Sequence, residues 1–423
     1  MRSDAAASVQ DFYERYPYPP PVEDLDRYQS LWKDGRLRRQ EHHLSWPARP
    51  FRDDHSILVA GCGTSQAAKH AMRWPAARVT GIDFSATSVR CTEELKHKYH
   101  LENLEVRQLP IERAAELGMR FDLVVCTGVL HHLADPLAGL RALRRVLEPV
   151  GALHLMVYAP YGRAGIYMMQ EFCRRVGIEA TDEGIRDLVT ILGSLPQGHP
   201  LRALRDAPDF HRAAAIADAL LNPHDRAYSV GQLFELLEAG GFTFSRWMRQ
   251  APYSPHCGLA AKVAAATDIG QLALSEQFAA VELLRGTMVR HSLIARRDDS
   301  PNHNEGINFD GEAWLGYVPI RVSDTLCVQE RLPAGAAAVL LNRAHECTDL
   351  ILPLDQREKR WFDAIDGCSA IGEIIAAGDD RAAARTFFER LWWYDQVVFD
   401  ASGERAASDY LAAPISTRCS LSQ

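Results

Sequence analysis

Positive charge is in short supply. Lys and Arg number 47 against 55 Asp and Glu, a net charge of -8 over 423 residues. Phosphate backbones are bound by basic surfaces, so nucleic acid is not an expected partner. Long apolar runs are missing too: no stretch nears the length that crosses a bilayer, and the N-terminal MRSDAAASVQDFYERYP lacks the apolar centre of a secretory signal. A cytoplasmic protein without a membrane partner is the expectation. The nine cysteines, at 62, 91, 126, 173, 257, 327, 347, 368 and 419, include no CxxC pair. Such scatter suits a reducing compartment better than a disulfide framework or a zinc site. No histidine shows metal-ligand spacing with acids or cysteines, so no metal is predicted, and no Ser-His-Asp arrangement is evident. What is present is the balance of a folded globular chain, 47% hydrophobic and 24% charged, and too long for one ordinary core.

The chain divides by pattern. Residues 1–50 are aromatic, charged and proline-rich, and read as a short helix followed by an extended arm, a possible lid. From Ser56 short apolar runs alternate with helical segments: strands at Ile57–Ala60, Arg78–Ile82, Leu104–Leu109, Phe121–Cys126 and Ala152–Tyr158, helices at Gln66–Met72 and Ser85–His100. Near-continuous apolar strands between helices predict a parallel sheet covered on both faces. Asp135 and Pro136 open a helix that Gly151 is expected to stop. Residues 161–228 break the alternation as a helical insertion. A capping box at Ser229–Gln232 restores it, with a strand at Phe242–Arg249. A second insertion (251–288) precedes a last strand at His291–Ala295. The domain thus runs over 51–296, followed by a polar linker (297–312), a small α+β domain (313–403) with strand-like runs at Tyr317–Val322 and Leu326–Gln329, and a tail (404–423).

Chemistry concentrates at strand ends. Val59-Ala60-Gly61-Cys62-Gly63-Thr64-Ser65 is a glycine-rich turn between strand and helix, where a ligand can approach the backbone and meet helix N-terminal amides. Glycines also make ordinary tight turns. Asp83 ends the next strand twenty residues past Gly63, the spacing at which an acid accepts ribose hydroxyls in nucleotide sites. It could equally cap the following helix. Histidine as a residue type titrates near neutrality, which makes His131 and His132, just past the fourth strand, the candidate general bases, His132 preferred; a backbone-bonded structural role is the alternative.

In this order and spacing the segments resemble the class I S-adenosylmethionine-dependent methyltransferases over about 250 residues: ILVAGCGTS their glycine-rich first motif, VTGIDFS their second-strand acid, LEVRQLPIE their third-strand turn, FDLVVCTGVLHHLADP their fourth-strand motif and GALHLMVY their fifth strand. Val59 stands where the family usually has an acid, and Ser65 where a third glycine is common. The resemblance implies a Rossmann-like α/β sheet and S-adenosylmethionine as cofactor, S-adenosylhomocysteine as product. It places Gly61, Cys62 and Gly63 under the cofactor, Asp83 at the ribose, and Phe84, Leu109, Pro110 and Ile111 around the adenine. Thr127, Gly128 and Val129 fall by the methionine portion. An N-terminal segment often closes the acceptor pocket in such enzymes, which makes Tyr13, Tyr16 and Tyr18 lid candidates. Tyr161, Arg163 and Tyr167 follow the fifth strand at the ligand-binding edge of the sheet; they contact an acceptor or anchor the insertion. Ile365–Ile374 and Phe388-Leu391-Trp392 resemble small winged-helix peptide-binding modules, although a plain packing or dimerisation domain is as good a reading.

The leading expectation is in-line methyl transfer to an oxygen or nitrogen of a small organic acceptor. A peptide acceptor delivered by the C-terminal module is the alternative, and a non-catalytic cofactor-binding scaffold the third reading.

Overall fold

The computed structural model describes residues 2–202, 210, 212–301 and 306–404. They group into two compact units, the first within 1–33, 53–248 and 264–303, the second within 34–52, 249–263 and 304–423.

The first unit is built on a mixed sheet of seven strands: β1 (Ser56–Ala60), β2 (Arg78–Asp83), β3 (Leu104–Gln108), β4 (Phe121–Thr127), β5 (Leu147–Tyr158), β6 (Phe242–Trp247) and β7 (Arg290–Arg297). Their spatial order is β3-β2-β1-β4-β5-β7-β6. The first five run parallel, while β7 is antiparallel to both β5 and β6. β1 and β2 are buried at every residue but their first, as expected of strands covered on both faces. The chain runs outward from β1 to β2 and β3, then returns to pair β4 on the other side of β1 through Ile57↔Leu123, Leu58↔Val124 and Val59↔Val125. Connections leaving β1 and β4 therefore diverge, and such a switch point opens a crevice at the carboxyl ends of the strands.

Helices α1 (Arg2–Arg15) and α2 (Asp26–Leu31) of this unit, and α3 (Gly35–Ser45) of the other, precede β1. The expectation of one helix and an extended arm to residue 50 thus needs correcting. The stretch between α1 and α2 is neither helix nor strand; Asp34, bound by the Arg36 amide at 3.0 Å, caps α3, a local signal the proline-rich run obscured. Helices α4 (Gln66–Arg73), α5 (Ala86–Tyr99) and α6 (Pro136–Val146) link the parallel strands. Asp135 caps α6 through the Ala138 amide, and Pro136 sits in its first turn. The helix stops at Val146, not at Gly151. Strand β5 already begins at Leu147, and its pairing with β4 jumps from Phe121↔Leu147 to Leu123↔Ala152. Gly151 lies in this irregularity because a Cβ there would come within 2.8 Å of the Asp122 carbonyl oxygen.

The insertion after β5 holds α7 (Ala164–Val176), α8 (Asp182–Ser194) and α9 (Ala213–Leu221), joined through Met169, Leu188, Leu201 and Ile216. Phe12 and Tyr16 of the N-terminal segment pack against Ile185 and Ala217 of this layer. Ser229 and Gln232 form the expected capping box of the helix Val230–Ala239.

The second unit holds two small antiparallel sheets, β8 (Val318–Arg321) with β12 (Val397–Asp400), and β9 (Thr325–Val328), β10 (Ala338–Asn342) and β11 (Ile351–Leu354) in the order β11-β10-β9. Strands β10 and β11 escaped the sequence reading because each spans only four or five residues between turns. Trp361, Phe362, Phe387, Phe388 and Leu391 fill its core. Arg39 and His43 of α3 meet Asp400 at 3.0 and 3.3 Å, all three buried.

Candidate active site

A cavity of about 500 Å³ opens in the first unit at the β1/β4 crevice. Its floor is the turn after β1. Gly61 and Gly63 adopt φ of +72° and +52°, which L side chains rarely do. A Cβ on Gly61 would stand 2.4 Å from Val129, so the turns after β1 and β4 press together only because that atom is absent. The amides of Gly61 and Cys62 donate to the Ile82 carbonyl at 2.8 and 2.9 Å, which seats the turn on β2. The Cys62 side chain is buried, does not line the cavity, and has its thiol pushed far up by that burial.

Asp83 closes β2 on the cavity wall. One carboxylate oxygen accepts the Gly63 amide at 2.8 Å and the other the Ser85 amide at 3.0 Å. The helix-capping alternative falls instead to the Ser85 hydroxyl, which accepts from Ser88. Burial raises the Asp83 carboxyl to about 6, against the pull of those amides. Phe84, Leu109, Pro110 and Ile111 form an adjoining wall, and Thr127, Gly128 and Val129 the opposite rim. This end fits a nucleoside-bearing cofactor: a floor without Cβ atoms, a carboxylate with lone pairs left for a diol, and a mostly apolar slot beside it.

At the other end the lining turns polar and aromatic, with Tyr13, Tyr18, His132, Tyr158, Arg163 and Asp218. A donor chain converges on Asp218. The Asn222 amide nitrogen donates to the Tyr13 hydroxyl at 3.1 Å, and that hydroxyl donates to Asp218 Oδ1 at 2.8 Å. Asn222 also reaches Oδ1 directly at 3.4 Å. Burial raises the Asp218 carboxyl, opposed by His132 and by the Tyr13 bond. Arg163 lies 3.5 Å over the Tyr158 ring and pairs with Asp225 at 3.2 Å; Gln170 donates to the same Asp225 oxygen at 2.9 Å.

His132 Nδ1 lies 2.6 Å from the His224 carbonyl. A carbonyl only accepts, so this nitrogen carries a proton and Nε2 is the ring atom left to face other groups. His131 does not line the cavity. Its buried ring stacks on Tyr158 at 4.1 Å, and burial holds its pKa well below the usual range. His131, His132 and Asp225 each bring a ligand atom within 4.8 Å of the others, a grouping no sequence spacing announced. Arg163 already holds Asp225, so a metal cation there would compete with a guanidinium.

Among the expected acceptor residues, Tyr18 and Arg163 line the cavity and Tyr16, Tyr161 and Tyr167 do not. Tyr16 turns toward Asp182 and the Ala180 carbonyl, Tyr161 is exposed, and Tyr167 meets Arg163 at 3.3 Å. Sequence reasoning missed Asp218, Asn222 and Asp225. The one available signal was two polar residues four apart, Asp218 and Asn222, at the end of the apolar run AAAIADALLN.

The sheet order, the glycine floor and the strand-end acid define a Rossmann-like fold of the class I, S-adenosylmethionine-dependent methyltransferases. Residues 58–153 match the family model described as a methyltransferase domain, and the chain is an S-adenosylmethionine-dependent methyltransferase. An uncharacterized protein of a Synechococcus species is 28% identical over 332 residues, covering 76% of this chain and 78% of its own length. The ubiquinone biosynthesis O-methyltransferase of Acinetobacter baylyi is 25% identical over 142 residues; the match takes in 31% of this chain and 59% of that enzyme. Among solved structures, PKMT2 from Rickettsia typhi shares the fold at TM-score 0.59 and 15% identity, over 89% of this chain and 74% of its own. No helix among the described residues is long and apolar enough to cross a membrane.

Proposed function

We propose that the chain methylates an oxygen or nitrogen of a small organic acceptor. One observation carries this: a single cavity runs from the glycine floor and Asp83 to the polar group around Asp218 and His132. The first end would hold the cofactor, with Gly61, Cys62 and Gly63 supplying the turn, Asp83 the ribose, Phe84, Leu109, Pro110 and Ile111 the adenine, and Thr127, Gly128 and Val129 the methionine portion. The cofactor brings the transferable methyl group. The protein orients it, excludes water and, where the acceptor arrives protonated, takes the proton.

At the second end Tyr13, Tyr18 and Arg163 would surround the acceptor, with His132 and Asp218 as possible destinations for its proton. Tyr16, Tyr161 and Tyr167 would act behind them, holding helices rather than touching the acceptor. His131 would brace Tyr158. The short match to the ubiquinone biosynthesis O-methyltransferase supports a small-molecule acceptor.

Calorimetric titration of the full chain with S-adenosylmethionine and S-adenosylhomocysteine, beside NAD as control, tests the cofactor end. Micromolar binding of the first two is expected, weakened about 100-fold or more in Asp83→Ala by the lost charge-assisted bonds. A folded wild type that binds neither would sink the reading.

A further inference from the structure

We propose that the acceptor is an amine, held as its ammonium ion by Asp218, which also receives its proton. This rests on the functional reading above and names the substrate class of the same cavity.

Asp218 is 3% exposed, yet it lines the cavity. Its only partners among the described residues are neutral, the Tyr13 hydroxyl and the Asn222 amide, and both approach Oδ1. Oδ2 accepts from no described residue, and Asp218 lines the cavity. A carboxylate this far from water is ordinarily paired with a cation. The nearest guanidinium, Arg163, is committed to Asp225 at 3.2 Å. Arg163 is thus taken up by Asp225, and Asp218 has no guanidinium or ammonium as a hydrogen-bonding partner among the described residues.

Asn222 donates to Tyr13 and Tyr13 donates to Asp218 Oδ1, which leaves Oδ2 as the oxygen open to a ligand. The rings of Tyr13 and Tyr158 line the same space. Aromatic faces beside a carboxylate are the surroundings in which an ammonium is favoured over a neutral hydroxyl, through ring quadrupoles as well as charge. A phenol or alcohol acceptor would leave the Asp218 carboxylate with neutral donors only.

Proton transfer follows the same contact. An N–H bond of the ammonium breaks, an O–H bond forms on Asp218 Oδ2, and the electron pair stays on nitrogen as the nucleophilic lone pair. Burial favours the neutral carboxylic acid that results.

A free small amine and a lysine side chain offer the same ammonium, and the test separates them. The full chain is saturated with S-adenosylhomocysteine and titrated calorimetrically with phenethylamine, Nα-acetyl-lysine methylamide and 2-phenylethanol. At least one amine is expected to bind about tenfold or more tightly than the alcohol, the margin of one charge-assisted bond. Asp218→Asn should lose that preference while S-adenosylhomocysteine affinity holds. Preference for phenethylamine places the ammonium on a free amine, and preference for the lysine derivative on a peptide side chain; either supports the proposal. Equal binding of amine and alcohol, a preference for the alcohol, or no binding of either amine to the wild-type complex overturns it, whether or not the variant folds. Failure of the cofactor reading is distinguishable, since it shows in the first titration before any amine is added.

Discussion

Asp83 is the residue whose chemistry most directly links environment to function. Its carboxyl is raised to about 6, chiefly by burial, from an ordinary value near 3.8. The folded chain therefore favours the protonated form more than the unfolded chain does. Ionising Asp83 costs stability as pH rises through 6, whereas a ribose diol requires the ionised acceptor. Cofactor affinity is accordingly expected to fall as pH drops below 6. Measured by calorimetry between pH 5 and 8, the decline should vanish in Asp83→Asn, which binds weakly at every pH. A flat wild-type profile would show that Asp83 is already ionised at pH 5 or does not touch the ligand. Beside it, Gly61 shows how little space separates the turns after β1 and β4: one missing Cβ lets Val129 reach the floor.

Among elements, α1 is the one whose position decides the shape of the cavity. Val9 and Tyr13 line it, and Glu14 ties the helix down by accepting from the amides of Ala86 and Thr87 at 2.6 and 3.1 Å, the first turn of α5. Glu14 thus acts as a cap supplied from another helix, placing a carboxylate at the positive N-terminus of α5. Gln10 adds a bond to the Phe84 carbonyl at 3.2 Å. Glu14→Ala should lower stability by about 1 kcal/mol, the usual worth of a cap. The same change should speed hydrogen exchange at Ala86 and Thr87 and in α1, with β1 and β4 unaffected. Uniform exchange across the unit would mean that Glu14 holds nothing down. Tyr16 bonds to Asp182 at 3.2 Å, which ties the start of the segment expected as a lid to the helical insertion.

At the scale of the whole molecule, several buried histidines are held neutral. His154 has its pKa lowered to about 3 by burial and by Arg73 and Arg296, and His70 and His131 are lowered in the same sense, burial first. In the unfolded chain these side chains take up protons near pH 6.5, and in the folded one they do not. The stability these histidines contribute is therefore full above 6.5 and declines as pH falls from there toward 3. The thermal midpoint, followed by circular dichroism, should drop steadily below pH 6.5, and less steeply in His154→Gln. A midpoint constant to pH 5 would refute the neutral assignment.

The sequence alone determined a good deal of this molecule, and the reason lies in locality. The apolar run Ile57–Ala60, the turn Gly61–Gly63 and the acid Asp83 fall within thirty residues, and each follows a rule of neighbours: buried strands are continuously apolar, tight turns take glycine, caps take Ser or Asp. The Ser229–Gln232 box was legible for the same reason. The reading slipped at Gly151, taken for a helix stop when it lies in a strand irregularity where the β4–β5 pairing skips Asp122 and a Cβ would meet the Asp122 carbonyl. Only tertiary structure decided which polar residues meet. Tyr13 and Asp218 are 205 positions apart, and nothing in their neighbours says that one donates to the other. The same holds for Arg163 and Asp225, and for His132, whose tautomer depends on a carbonyl 92 residues away. The proposed cofactor end, made from consecutive turns, is written locally, whereas the proposed acceptor end, drawn from an N-terminal helix and an insertion, exists only once burial brings them together.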